Sequence, residues 1–334
     1  MRNGYPSQVL ITGGREVGGL TSFAEGLRAG FTELGIAVEI ISPLRIFLRW
    51  RDLRNPRILK ILSTSAVFAV PLARRAICVA HGCPCAALQG WLTTISVLVS
   101  LKLAAASSGA QLVAVSDYTA LQLRAIFAMR VDAAIRNPIL PLFLEASQEP
   151  DSRRVAIAYV GRLHRAKNVD RLLPAIRDVL DENPGLRAWI VGDGPMRGTL
   201  ERIAAGDQRI EFLGALPPDK VRDRLRRSRV FVSGNPTEPF GIAYLEALSQ
   251  GCAVAMPASG GGLEIAPELI GRRIFLFSSS INRHAVVASL RNALHARPMA
   301  TTPDAYSACA VAEAYLARDL RFTALGAFPP EPIQ

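Results

Sequence analysis

Acidic side chains are in short supply. Only 28 Asp and Glu face 39 Lys and Arg, a formal net charge of +11 over 334 residues. That imbalance calls for an anionic partner: nucleic acid, acidic lipid headgroups or a phosphate-bearing substrate. Cysteine is sparse as well, with five residues at 78, 83, 85, 252 and 309, mostly inside apolar runs. This odd, scattered set argues against a disulfide framework and for a reduced, cytosolic protein. Cys83-Pro84-Cys85 is spaced too tightly for a usual zinc pair and has no second pair nearby, so no metal site is expected. Long apolar runs are missing. The most apolar stretch, Trp91 to Ala106, is interrupted by Lys102 and falls short of the ~20 residues of a bilayer span, so a buried helix is expected. Met1 to Pro6 run straight into a strand without a signal-peptide pattern. No glycine triplet has the G-x-G-x-x-G spacing, which disfavours a dinucleotide enzyme. A basic nucleic-acid-binding protein is an alternative from another class, but it lacks a known motif and an aromatic platform.

What is present is a globular composition, 50% hydrophobic and 20% charged. At this length two domains of roughly 140–190 residues are expected. Gln8-Val-Leu-Ile11 reads as a strand and leads through a glycine-rich turn (residues 12–19) into a helix with Leu20, Phe23, Leu27 and Phe31 at helical spacing. Gly35 stops that helix, and Val38 to Ile41 is the next strand. Strand, helix and strand in that order predict a parallel α/β sheet. Ile77 to Ala80 and Leu112 to Val115 are further strands, with His81-Gly82 at the carboxyl end of the first, where ligand groups collect in such sheets. Residues 139–153 carry two prolines and a polar run and read as a linker.

The stretch 45–62 stands apart. Six basic residues, Arg45, Arg49, Arg51, Arg54, Arg57 and Lys60, alternate with bulky apolar ones, and only Asp52 opposes them. That mixture suits an anionic membrane surface. A solvated basic loop with a few core contacts is the plainer alternative.

From Val155 onward strands and helices alternate regularly, so a second doubly wound sheet is expected. Val230 to Ser233 reads as a buried strand that empties into Asn235-Pro-Thr-Glu-Pro-Phe-Gly-Ile242. A helix is expected to start near Pro239 or Phe240 and to end at Gly251. Glu238 then sits at the helix mouth and Glu246 inside it, ~12 Å further along the axis. The two acids suit the two ends of one elongated ligand, with the Gly241 and Ile242 amides facing an anion between them. An ordinary capped helix with two solvated acids is the plainer reading of this stretch alone. Arg162 and Lys167 share one strand-to-helix loop and suit a diphosphate.

Taken together, Gly161-Arg-Leu…Lys167-Asn168, Val191-Gly-Asp-Gly-Pro195, Phe212-Leu-Gly214, the Glu-x7-Glu element Glu238 to Glu246 with Phe240-Gly241, and Gly251-Cys-Ala-Val-Ala255…Gly262 resemble the retaining glycosyltransferases of family 4. Gly18-Gly19, His81-Gly82, Val115-Ser116-Asp117 and Arg136-Asn137-Pro138 are fainter echoes. The resemblance implies the GT-B fold, two Rossmann-like domains facing a cleft, with residues 1–145 binding acceptor, 146–310 binding the nucleotide sugar, and 311–334 returning to the first domain. It implies that Arg162 and Lys167 hold the diphosphate, that Glu246 binds the ribose hydroxyls, and that Glu238 contacts the transferred sugar. Gly192, Gly194, Phe240, Gly241 and Ile242 would face sugar and phosphate, Gly18 and Gly19 would lie beneath the donor, and His81 would orient the sugar. No Asp-x-Asp triplet occurs, so no metal clamp and no cofactor is expected beyond a UDP- or GDP-type donor. The acceptor implied is a glycolipid or polysaccharide precursor at the inner membrane face, with no nucleic-acid partner. An epimerase or phosphorylase on the same fold would share the diphosphate site.

Overall fold

The computed structural model describes residues 5–13, 18–43, 45–84, 91–107, 109–145, 154–301 and 303–324. The chain divides into two units, Met1–Leu140 with Asp304–Gln334, and Pro141–Pro303. The breaks therefore fall a few residues before the expected 145 and 310. Local bonds explain the shift. Ile139 N donates to Tyr306 O at 2.9 Å within the first unit. Gln250 Nε2 donates to Phe143 O at 2.7 Å within the second. Most of the expected linker up to 145 is thus fixed structure, and residues 146–153 lie outside the described ones, as do Cys85 and residues 325–334.

The first unit contains β1 (Gln8–Thr12), α1 (Gly19–Glu33), β2 (Ala37–Ile41), a 3-10 turn (Arg45–Arg49), α2 (Trp50–Arg54), β3 (Ile58–Ser63), a 3-10 stretch (Thr64–Leu72), β4 (Ala76–Ala80), α3 (Trp91–Ala106), β5 (Ala110–Ala114), α4 (Asp117–Phe127) and β6 (Ala133–Ala134). Its six strands are parallel, in the order β2-β1-β3-β4-β5-β6. β3, β4 and β5 are buried along their whole length, as expected of parallel strands covered on both faces. Ser116 caps α4 by accepting from Thr119 N at 3.0 Å.

Two sequence expectations fail here. Residues 58–62 are not part of a surface stretch: Ile58 to Leu62 form the inner strand β3, and Lys60 is buried with them. Its ammonium donates to Asn55 O (2.6 Å) and Arg74 O (2.5 Å), and burial lowers its pKa to about 7. The helix Trp91–Ala106 is not buried either. Leu101 and Ala104 face the core, while Trp91, Leu92, Ile95, Val99 and Leu103 are exposed. The uniform hydropathy of its sequence conceals which side packs.

The second unit contains β7 (Ala156–Val160), α5 (Val169–Glu182), β8 (Arg187–Val191), α6 (Arg197–Ala204), β9 (Ile210–Gly214), α7 (Pro218–Arg226), β10 (Ser228–Val232), α8 (Ile242–Ser249), β11 (Ala253–Pro257), β12 (Ile274–Phe277) and α9 (Arg283–His295). These strands are parallel too, in the order β12-β11-β10-β7-β8-β9. Leu172, Leu173, Ile176, Val179 and Leu180 of α5 pack with Ile157, Ile190 and Val230 of the sheet in one core. The expectation of two doubly wound parallel sheets is met.

The last helix, α10 (Ala308–Ala324), belongs to the first unit and packs along α1. The helices cross at Gly30, where a Cβ would stand 2.0 Å from Ala308 O. Asp319 accepts from Arg75 Nη2 at 2.7 Å and from Nε at 3.0 Å, a buried two-pronged ion pair.

Candidate active site

Parallel sheets bind ligands at the carboxyl ends of the strands where the order of connection reverses. In the second unit that point lies between β7 and β10. The β7–α5 loop carries Arg162 and Lys167, and the β10–α8 loop carries Asn235 and Glu238. The structure brings these loops together. Lys167 Nζ donates to Glu238 Oε2 at 2.6 Å, and Asn235 Nδ2 donates to the same oxygen at 2.9 Å. Asn168 Nδ2 adds a bond to Gly234 O at 2.9 Å. Lys167 and Glu238, expected to grip separate parts of a ligand, are therefore paired with each other, leaving Oε1 without a bond among the described residues.

Asn235 escaped the sequence reading. Its Oδ1 accepts from Thr237 N (3.2 Å) and Thr237 Oγ1 (3.1 Å), which turns its amide nitrogen toward Glu238. An Asn two residues before a Thr in a Pro-rich turn is the available signal, since Asn readily folds back on the backbone two residues on. Arg162 is exposed, and its guanidinium has no partner among the described residues. Tyr159 Oη donates to Arg162 O at 3.0 Å and so holds this loop from beneath.

Helix α8 begins at Ile242, later than expected. Gly241 has φ +93, a left-handed backbone that cannot lie inside a right-handed helix, so Pro239 and Phe240 stay in the preceding turn. The helical rise of ~12 Å between Glu238 and Glu246 does not apply, because Glu238 lies outside the helix. Phe240 is buried. The amides of Ile242 and Ala243 donate to nothing among the described residues, as befits the first turn of a helix. Just past the other end of α8 two buried guanidinium groups meet the carbonyls of the two residues that follow it. Arg154 Nη1 reaches Gln250 O at 3.0 Å, and Arg273 Nη2 reaches Gly251 O at 2.6 Å. Cations there complement the helix dipole, whose positive end is the free first turn.

Glu246 is 7% exposed, and its carboxyl has no hydrogen-bond or ion-pair partner among the described residues; its backbone carbonyl accepts from Ser249 Oγ at 2.7 Å and Gln250 N at 3.2 Å. Burial raises its pKa from 4.5 to about 7. It is a desolvated carboxyl, which overturns the reading of two solvated acids. Below it, Tyr244 Oη donates to Ser233 Oγ at 2.9 Å, tying α8 to the end of β10.

Glycines of the neighbouring loops act by close packing. A Cβ on Gly192 would stand 1.9 Å from Gly161 O, and one on Gly194 would stand 2.4 Å from Leu163 O. Both therefore let the β8–α6 loop lie directly on the β7–α5 loop.

Three candidates lie in the first unit. His81 follows β4. Its ring meets Phe23 edge-on at 4.7 Å, and its Nε2 is buried without a partner among the described residues. Burial lowers its pKa to about 4, so the imidazole is neutral near pH 7. Gly18 and Gly19 open α1 with nothing within 4 Å of the place a Cβ would take. Among the described residues no cluster of three His, Cys, Asp or Glu is placed to hold a metal ion, and no helix is long and apolar enough to cross a membrane.

Comparison with known proteins gives this arrangement a family context. Residues 143–308 match the family described as glycosyl transferases group 1. The gpi3 subunit of phosphatidylinositol N-acetylglucosaminyltransferase from Schizosaccharomyces pombe is 31% identical over 152 residues, 42% of this chain and 33% of the relative. Sulfoquinovosyl transferase SQD2 of Arabidopsis thaliana is 31% identical over 197 residues, 58% of this chain and 37% of the relative. The chain thus spans only about a third of the length of the curated relatives it matches. Among solved structures, Anabaena Alr3699/HepE in complex with UDP and glucose aligns over 94% of this chain and 95% of its own, with a TM-score of 0.65 at 17% identity. Sucrose-phosphate synthase from Thermosynechococcus elongatus aligns over 94% of each chain, with a TM-score of 0.67 at 15% identity. Residues 143–308 therefore carry a group 1 glycosyl transferase domain, in a chain with the two-sheet GT-B fold.

Proposed function

We propose that the chain is a retaining glycosyltransferase that moves a sugar from a UDP- or GDP-type donor to a lipid-linked or polysaccharide-precursor acceptor at the cytoplasmic face of a membrane. One observation carries the donor part. The buried carboxyl of Glu246, without a partner among the described residues, lies on the helix whose free first-turn amides follow the Lys167–Glu238 pair. Glu246 accepts the two ribose hydroxyls, which supply the donors its carboxylate lacks. The Ile242 and Ala243 amides and the unpartnered Arg162 take the diphosphate. Lys167 holds Glu238 and adds positive charge, and Glu238 Oε1 accepts a sugar hydroxyl. On the first unit, His81 offers a neutral ring with a free Nε2 to a sugar hydroxyl, and Gly18 and Gly19 leave the start of α1 open.

The reaction breaks the bond from the anomeric carbon to the diphosphate and forms one to the acceptor oxygen on the same face. The leaving phosphate takes the acceptor's proton. Charge grows on the diphosphate in an oxocarbenium-like state, so positioning and fixed positive groups supply the rate enhancement. No cofactor enters. The UDP–glucose complex of the HepE neighbour supports a uridine donor, and the relative named for phosphatidylinositol supports a lipid acceptor.

A panel of nucleotide sugars, read by thermal shift and slow donor hydrolysis, tests the proposal. One donor class should raise the midpoint. Glu246→Ala should abolish that shift, and Lys167→Ala should lower hydrolysis about 10²-fold. Unchanged turnover in both variants would remove the site.

A further inference from the structure

Two groups of large apolar side chains stand exposed on the first unit. On α3, Trp91 (76%), Ile95 (53%), Val99 (44%) and Leu103 (41%) recur every four residues and share one face, with Leu92 (87%) at its rim. On the 3-10 turn and α2, Phe47 (44%), Leu48 (79%) and Trp50 (53%) point outward. The Thr64–Leu72 stretch packs against both α3 and α2, and its last residue, Leu72, is exposed as well. The two groups therefore flank one element.

Charge decides what covers them. Arg49 engages both carboxylates of this region, reaching Glu39 Oε1 at 2.7 Å and Asp52 Oδ2 at 2.5 Å. Arg45, Arg51, Arg54, Arg57 and Arg74 are exposed and have no carboxylate partner among the described residues, and Lys102 adds a cation on α3. A second copy of the chain would bring the same unpaired arginines to its surface. A soluble anion would leave the tryptophans and leucines in water. A bilayer bearing anionic lipid satisfies both, because arginines pair with headgroups while tryptophan and aliphatic side chains sit at the acyl boundary.

We propose that α3 and residues 45–54 form one docking face for an anionic bilayer, with the Trp91–Leu103 side of α3 as the inserted element. This rests on the reading of a lipid-linked acceptor and adds to it the surface that holds the protein at the membrane. Each arginine that meets a headgroup strengthens partition about fivefold, and each withdrawn aliphatic side chain weakens it about tenfold.

The test is flotation of the full chain with phosphatidylcholine vesicles, with and without phosphatidylglycerol. Binding should need phosphatidylglycerol and weaken with salt. In a Trp50→Phe background, Trp91 emission should shift to the blue on binding, since Trp189 is already buried. Leu92→Glu with Ile95→Glu should weaken partition about a hundredfold, as should Arg51, Arg54 and Arg57 all changed to Gln. Donor hydrolysis in solution should be unaffected, because none of these residues lies in the second unit's site. Flotation of the α3 variant equal to the wild type would overturn the assignment of α3 while leaving the arginines as a membrane contact. No binding by the wild type would overturn the bilayer itself. A dimer in light scattering that the α3 variant dissolves would make the face a contact between copies. Absence of hydrolysis with every nucleotide sugar would count against the proposed activity alone, because flotation does not depend on it.

Discussion

Removing the charge of Glu246 should stabilise the protein and abolish donor binding together. Burial raises this carboxyl from 4.5 to about 7. Between those values the folded second unit binds a proton that the unfolded chain has lost, so stability falls as pH rises from 4.5 to 7 and stays lowered above 7. The shift corresponds to about 3 kcal/mol. Glu246→Gln removes the titration and should therefore gain about 3 kcal/mol over the wild type at pH 8 and little at pH 4.5. Unfolding of the second unit can be followed by Trp189 emission once Trp50 and Trp91 are changed to Phe, because those two lie in the other unit. Nucleotide binding adds the reverse sign. Hydroxyls donating to the carboxylate favour its charged form and lower its pKa, so binding near pH 6 should release a proton. Affinity should then rise with pH, up to about tenfold per unit, and level off above 7. Calorimetry in buffers of different ionisation heat measures that proton. A wild type whose stability relative to Glu246→Gln does not change between pH 4.5 and 8 would refute the desolvated carboxyl. Equal nucleotide affinity of the two proteins would refute its role in binding.

Two further predictions come from hydrogen-bond geometry. Asn235→Ala leaves Glu238 Oε2 with Lys167 as its single side-chain donor, so kcat should fall about tenfold while nucleotide affinity stays close to the wild type; Asn235→Asp, which sets a second carboxylate beside the first, should be worse. Equal loss of nucleotide affinity would make Asn235 a scaffold residue and not a positioning one. Asp319→Ala strands the buried Arg75 guanidinium and should cost about 3–5 kcal/mol in urea unfolding of the first unit, whereas Arg75→Met with Asp319→Leu should recover most of it.

The fold was legible because parallel strands buried on both faces announce themselves as short apolar runs: Gln8 to Ile11, Ile77 to Ala80 and Val155 to Val160 all read correctly. β3 did not, because Lys60 breaks its run and the arginines before it suggested a surface. Only the carbonyls of Asn55 and Arg74, brought in by the fold, make a buried lysine tolerable there. α3 misled in the opposite sense, since a helix apolar on every side carries no periodicity to say which side packs. At the site, residue types and loops were readable, but their pairing was not. Sequence placed Lys167 and Glu238 on different loops without saying that they meet, and it gave no sign that Glu246 is desolvated while Glu238 is bonded. Those properties belong to neighbours far away along the chain.

The first unit is built from two pieces of chain, residues up to Leu140 and a second piece that includes α10, with the whole of the second unit between them. During synthesis the intervening sheet emerges intact and can fold as it appears. The earlier sheet has to wait some 160 residues, roughly ten to thirty seconds at ordinary translation rates, for the helix that covers α1 at Gly30 and neutralises Arg75. Nascent chains arrested before Ala308 should thus hold a protease-resistant later unit behind a protease-sensitive beginning.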